Sequence, residues 1–227
     1  IALKVMDENS LGIVAPAFVE NVASGKLEES DYIPIHTLGD ACWVVITNGS
    51  LKGVKEVTVG GVGFGNAAHL TSLALGEKYG FAVRYIVFKS NNDALINMAG
   101  NNGVIMVVDR FEAYDSMKKQ NKNLQMLAAS CPTRLPQAPE VKTLKELGIE
   151  APLVFNTTVA HKSMDPVRRK AIAIILNNAQ KRVGAEEIFK ISGMKVPAEA
   201  PEIFHKNSVD TVRKLQKRYR AQIEQSK

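Results

Sequence analysis

The sequence predicts an α/β fold, and three observations carry that prediction. Short β-branched and apolar runs alternate with short helical stretches, the pattern of βαβ units building a parallel sheet. Within 57–75 a β-branched run, a glycine-rich loop and a helical pattern follow one another directly. Hydrophobic residues make up 45% of the 227 residues, enough for a packed core, yet no run approaches the ~18 apolar residues that a spanning helix requires.

Taken in order, Ala2–Met6 reads as a strand that ends in the polar turn Asp7-Glu8-Asn9-Ser10. The stretch Ile13–Ala23 reads as helix, with Pro16 near its start. Tyr32–His36 and Ala41–Thr47 are strands, the second rich in Val and Ile, and Asn48-Gly49-Ser50 is a turn. Val57–Val59 is the strand that enters the glycine loop, where Gly60, Gly61, Gly63 and Gly65 fall within six residues. Asn66 then stands where a side chain caps the helix that follows. Ala82–Phe88, Val104–Val108 and Leu124–Ala129 are further strands, separated by helices over Asn92–Ala99 and Phe111–Gln120. After Cys131 three prolines interrupt the chain before a short helix at Thr143–Leu147. Leu153–Val159 is a strand. Asp165-Pro166 starts a helix, Asp as cap and Pro in the first turn, with Val167, Ala171, Ile174, Ile175 and Ala179 expected on its buried side. Glu186–Ser192 is a short helix. Glu202–Gln225 is a long one, with Val209, Val212, Leu215, Tyr219 and Ile223 at helical spacing.

The glycine loop is the candidate for function. Glycines let the backbone turn tightly and approach a ligand closely. The first N–H groups of the next helix lack intrahelical partners and favour an anion. Asp109 ends an apolar strand, and strand ends in open α/β sheets face the ligand crevice. Asn9 and Ser10 also follow a strand. Each has a plainer reading, as a tight βα turn, a helix cap or turn chemistry. His69, in the first helical turn, reads as a packed, hydrogen-bonded side chain rather than a ligand contact. Gly63-Phe64-Gly65-Asn66-Ala67-Ala68 also fits G-x-G-x-x-A, a dinucleotide fingerprint. The acidic residue expected after the next strand is replaced by Phe88-Lys89-Ser90, which suits at best a phosphorylated ribose.

Other classes find little support. The net charge of +6 favours anionic partners without selecting one. Aromatic residues are only 6%, with one Trp, too few for nucleic-acid stacking platforms. The basic residues Arg168, Arg169, Lys170, Arg213, Lys214, Lys217, Arg218 and Arg220 lie opposite apolar helix stripes and read as solvated faces. The four His and two Cys show no metal spacing, and no nucleophile, phosphate-loop or paired-carboxylate motif is present. No catalytic residue, metal site or cofactor is therefore assigned.

The order of signals resembles the tripartite tricarboxylate transporter receptors, the Bug-type extracytoplasmic solute-binding proteins. Tyr85-Ile86-Val87-Phe88-Lys89 is similar to their V-P-Y-K-G strand end, and Val104–Asp109 to their D-M-M-F-A-D strand. Leu124–Ser130 with Arg134, Pro136, Pro139, Thr143, Leu144, Glu146 and Gly148 resembles their L-R-A-L-A-V-T-S…P-D-V-P-T-L-x-E-x-G passage. Gly63, Gly65, His69 and Leu70 match their loop S-S-G-N-G-T-S-S-H-L, with Val62 and Asn66 at two hydroxyl positions. Asn9, Ser10 and Pro16 resemble their N-S…N-P segment.

The resemblance implies a two-lobed, type II periplasmic-binding-protein-like fold. Each lobe would be a mostly parallel sheet flanked by helices, and the first βα unit of lobe 1 would be missing. Lobe 1 would be 1–48 with 153–227, and lobe 2 would be 49–152. A small organic anion such as a dicarboxylate would bind between the lobes through Asn9, Ser10, Gly63, Gly65, Asn66, Ala67 and Asp109. It would be delivered to membrane transporter subunits, with no enzyme activity, nucleic-acid binding or direct membrane insertion. The setting would be the bacterial periplasm if a leader precedes Ile1, and the cytoplasm if the native start lies near Ile1. Two alternatives stay open: a truncated homologue with an interaction or oligomeric role, and an NADP-type oxidoreductase domain. A return of Leu153–Val159 to the first lobe would favour the binding protein over the oxidoreductase. Cys42 and Cys131 are expected in different lobes and unbonded.

Overall fold

A computed structural model describes residues 6–14, 16–192 and 195–227. The strand expected at Ala2–Met6 lies largely outside them. The chain gathers into two compact units, Ile1–Ala41 with Leu153–Arg213, and Cys42–Pro152 with Lys214–Lys227. Relative to the sequence reading, 42–48 and the last fourteen residues, 214–227, go with the second unit.

The first unit is built on a three-stranded sheet. Its strands are β1 (Leu11–Val14), β2 (Tyr32–Ala41) and β8 (Val154–His161), in the order β1-β8-β2. Helix α1 (Pro16–Ala23) connects β1 to β2, so strand rather than helix occupies 11–14 and the helix opens at Pro16. The sheet is antiparallel, against the mostly parallel one expected. The reason is an insertion. β1 and β2 run the same way, as a βαβ crossover requires, but the returning strand β8 enters between them in the opposite direction. That return to the first unit is the topology expected of a binding protein.

Helix α5 (Pro166–Val183) begins as expected, with the Asp165 carboxylate accepting from the N–H groups of Val167 and Arg168. Its inward face is not the expected one. Val167, Ile174 and Ile175 are exposed, whereas Ile172, Ala173 and Leu176 pack on Ile35, Ala160 and Met164. Gln180 continues that inner face and donates to the carbonyl of Leu38 at 2.8 Å. The chain continues through α6 (Ala185–Ser192) and α7 (Pro201–Arg218). Phe204 of α7 stands edge-on to Phe155, with ring centroids 4.9 Å apart.

The second unit carries a five-stranded sheet. The strands are β3 (Trp43–Asn48), β4 (Glu56–Gly61), β5 (Ala82–Val87), β6 (Met106–Arg110) and β7 (Leu124–Ala129), in the order β5-β4-β6-β3-β7. β4 pairs in parallel with β5 and β6, and β3 runs antiparallel to β6 and β7. Here too a strand from elsewhere in the chain is inserted, β3 between the crossover partners β6 and β7, which makes the sheet mixed. The helices are α2 (Ala67–Tyr79), α3 (Asn91–Ala99), α4 (Phe111–Gln120) and α8 (Arg220–Gln225), which continues α7 after a break at Tyr219. Thr143–Leu147 forms turns rather than a helix, with Thr143 and Glu146 exchanging side-chain and backbone hydrogen bonds. One face of the sheet, with Val44, Ile46 and Val107, buries Leu95 and Met98 of α3 and Met117 of α4.

Cys42 and Cys131 are disulfide-bonded, which overturns the expectation of separate, unbonded thiols. Cys42 enters β3 and Cys131 leaves the neighbouring β7, so register brings their Cα atoms to 4.7 Å, within the span a disulfide bridges.

Candidate functional site

In the second unit the parallel strands β4, β5 and β6 all end at one edge of the sheet. Three helices start there: α2 after the glycine loop, α3 after Ser90 and α4 after Arg110. Gly63, Gly65, Asn66, Ala67 and Asp109 therefore share this edge. Asn9 and Ser10 belong to the first unit. There Asp7 Oδ1 accepts from the Asn9 N–H and the Ser10 hydroxyl, and Arg168 donates to Asn9 Oδ1 at 2.6 Å, a turn with its polar groups already engaged.

The glycines do different work. A Cβ on Gly60 would come within 2.8 Å of the Ala94 Cβ, and one on Gly61 would collide with the Tyr85 hydroxyl. These two allow close packing. Gly65 has φ +72°, the left-handed region, and its surroundings are open to 3.8 Å. Its requirement is conformational.

Gly65 is gripped at both polar atoms. Its N–H donates to His69 Nδ1 at 3.0 Å, and its carbonyl accepts from the Gln216 side chain at 3.0 Å. His69 is fully buried and stacks on Tyr85, with ring centroids 4.1 Å apart. Accepting at Nδ1 places its proton on Nε2, which has no partner among the described residues. Burial pushes its pKa down to about 4, so the ring is neutral near pH 7. Asn66 caps α2, its Oδ1 accepting from the His69 N–H at 2.9 Å and from the Tyr85 hydroxyl at 3.3 Å. The Gly65 amide is thus committed inward. The Ala68 N–H, in the first turn, has no such partner among the described residues.

Asp109 is half-buried and lies within β6 rather than beyond it. It accepts from the Arg110 N–H at 2.8 Å and shares a side-chain hydrogen bond with Asn91. Burial raises its pKa, and these hydrogen bonds only partly offset that. Helix α4 has no side-chain cap, which leaves its first N–H groups at the same edge.

Sequence reasoning missed Gln216, Tyr85 and Asn91. Only the Ser90–Asp93 cap of α3, which sets Asn91 in place, carries a local signal. Several cations read as solvated face are paired: Lys214 with Glu150, Arg218 with Glu77, and Arg213 with Asp210. Among the described residues no cluster of three or more His, Cys, Asp or Glu side chains could hold a metal ion, and no helix is long and apolar enough to cross a membrane.

The sequence model of a family described as "tripartite tricarboxylate transporter family receptor" matches residues 33–217. Among solved structures, a TctC solute-binding protein from Polaromonas, without ligand, superposes with a TM-score of 0.73 at 16% identity, over 93% of this chain and 79% of that one. MatC from Rhodopseudomonas palustris with bound malate gives 0.66 at 14%, over 93% and 79%. A second R. palustris protein, with adipate, gives 0.72 at 15%, over 92% and 76%. No curated protein sequence matches the chain significantly.

Proposed function

The chain is a member of the tripartite tricarboxylate transporter receptor family, and from that premise we propose that it captures a small dicarboxylate at the strand-end edge of its second unit. Members of this family are solute-binding receptors, not enzymes. The observation that supports the placement is the doubly held glycine loop, with the Gly65 N–H given to His69 and its carbonyl accepting from Gln216. The Ala68 N–H and the uncapped start of α4 offer donors for carboxylate oxygens. Asp109 opposes a second carboxylate nearby but accepts from a ligand hydroxyl or amino group. The similar proteins holding malate and adipate support the ligand class. Delivery would be to membrane subunits of a tripartite transporter, from the periplasm. The Cys42–Cys131 disulfide is in keeping with an oxidising compartment.

A thermal-shift and calorimetric screen with malate, adipate and citrate tests the proposal. A ligand at about 10 mM with a dissociation constant near 1 mM stabilises the native state by about 1.4 kcal/mol. No stabilisation by any dicarboxylate would sink it.

A further inference from the structure

Helix α5 is apolar on two faces. Ile172, Ala173 and Leu176 pack inward on Ile35, Ala160 and Met164. A second apolar set, Val167, Ala171, Ile174 and Ile175, stands at i, i+4, i+7 and i+8, one stripe of a helix with 3.6 residues per turn. That stripe points to solvent, with Val167 77%, Ile174 50% and Ile175 63% exposed. Cations surround it. Lys170 and Lys181, about three turns apart, border one side, Arg168 borders the other, and Arg182 closes the C-terminal end. The helix contains no acidic residue. None of these four cations is ion-paired among the described residues, and Arg168 holds only the Asn9 side chain. Of the acids next to the helix in sequence, Asp165 is engaged in capping, and Glu186 and Glu187 come only after Gly184.

We propose that α5 docks the protein on an anionic lipid surface, lying in the plane of the headgroups with Val167, Ala171, Ile174 and Ile175 at the acyl boundary. An apolar stripe flanked by Lys and Arg is the pattern of an interfacial helix. Charge complementarity selects the occupant. Lysine and arginine donate hydrogen bonds and accept none, so apart from Asn178 this face offers only donors and apolar groups. Headgroup phosphates over hydrocarbon supply the matching acceptors and apolar depth. The long cationic stems let the charges reach the phosphates while the isoleucines sit deeper. A second copy of the chain is disfavoured, because pairing this face with itself sets cations against cations. The helix adsorbs and spans nothing, and among the described residues no helix is long and apolar enough to cross a membrane. The inference does not rest on the dicarboxylate reading.

The test is flotation of the full chain with vesicles of equimolar phosphatidylglycerol and phosphatidylcholine at low salt. Saturable binding is expected. It should be at least about tenfold weaker on pure phosphatidylcholine, and weaker again in about 0.5 M NaCl, which screens exposed charges. Each cation near an anionic surface contributes about fivefold in affinity, so Lys170→Glu/Lys181→Glu should weaken binding at least about tenfold. Ile174→Gln/Ile175→Gln keeps every charge and should also weaken it at least about tenfold, through lost apolar burial. All four side chains are exposed, so both variants should keep the native melting temperature. Should a variant fail to fold, the native protein decides: acetylation footprinting should show Lys170 and Lys181 protected by anionic vesicles. No binding to those vesicles, binding that both variants retain, or binding without protection of the two lysines overturns the proposal. So does binding of polyglutamate without binding of vesicles, which would assign the face to an acidic protein.

Discussion

His69→Gln isolates the group that sets the glycine loop. In the native protein the buried ring is neutral, with its pKa pushed down to about 4 from an ordinary 6.5. The unfolded chain therefore takes up a proton as pH falls through 6.5, and the native protein does so only near 4. More protons bound in the unfolded state means that stability falls on acidification across this window. Integrating the two titrations gives a loss of about 2 kcal/mol between pH 7 and pH 5 from this residue. At pH 7 the variant should be less stable by about 1–2 kcal/mol, since glutamine loses the stacking on Tyr85 and weakens the bond from Gly65. At pH 5 that deficit should vanish or reverse. Urea unfolding of both proteins at pH 7, 6 and 5 measures this, and His205, also pushed down to about 4, is common to both and cancels. Stability curves that stay parallel over this range would refute the reasoning.

Gly65→Ala should destabilise by about 1–2 kcal/mol through its positive φ, since the added methyl has room; chemical denaturation checks it. Asp109→Asn should stabilise the ligand-free protein. Burial raises the pKa of Asp109, so the gain should grow as pH rises from the ordinary carboxylate value through the raised one, and then level off. Calorimetry on the same variant should show a larger change in preference between malate and adipate than in binding of both. Native protein denatured without reductant should show no free thiol. The Cys42→Ala/Cys131→Ala pair should lose up to about 4–5 kcal/mol by loop entropy, read as a lower melting temperature.

What was legible in the sequence is what neighbouring residues decide. Asn66 as cap, the glycine turn and Asp165 before Pro166 act over a few positions, and the structure has them so. Helix α5 was legible in extent but not in facing. Ala171 to Leu176 are all apolar, so two helical phases fit equally, and the bulk of β2 selects Ile172 and Leu176 over Ile174 and Ile175. The sheet directions depended on β3 and β8, each inserted between partners of a crossover it does not belong to. The Cys42–Cys131 bond rests on the same insertion, 89 residues apart in sequence. At the candidate site the glycines announced a close approach, but not that His69 and Gln216 would occupy both polar atoms of Gly65.

The central claim is that a dicarboxylate binds at the strand-end edge of the second unit. Amide chemical-shift mapping by ¹⁵N NMR during titration with malate or adipate tests it most directly. The account predicts saturable shifts concentrated at Phe64–His69 and at Arg110–Ala113, where α2 and α4 begin. Binding with those amides unmoved, and shifts confined elsewhere, would contradict it.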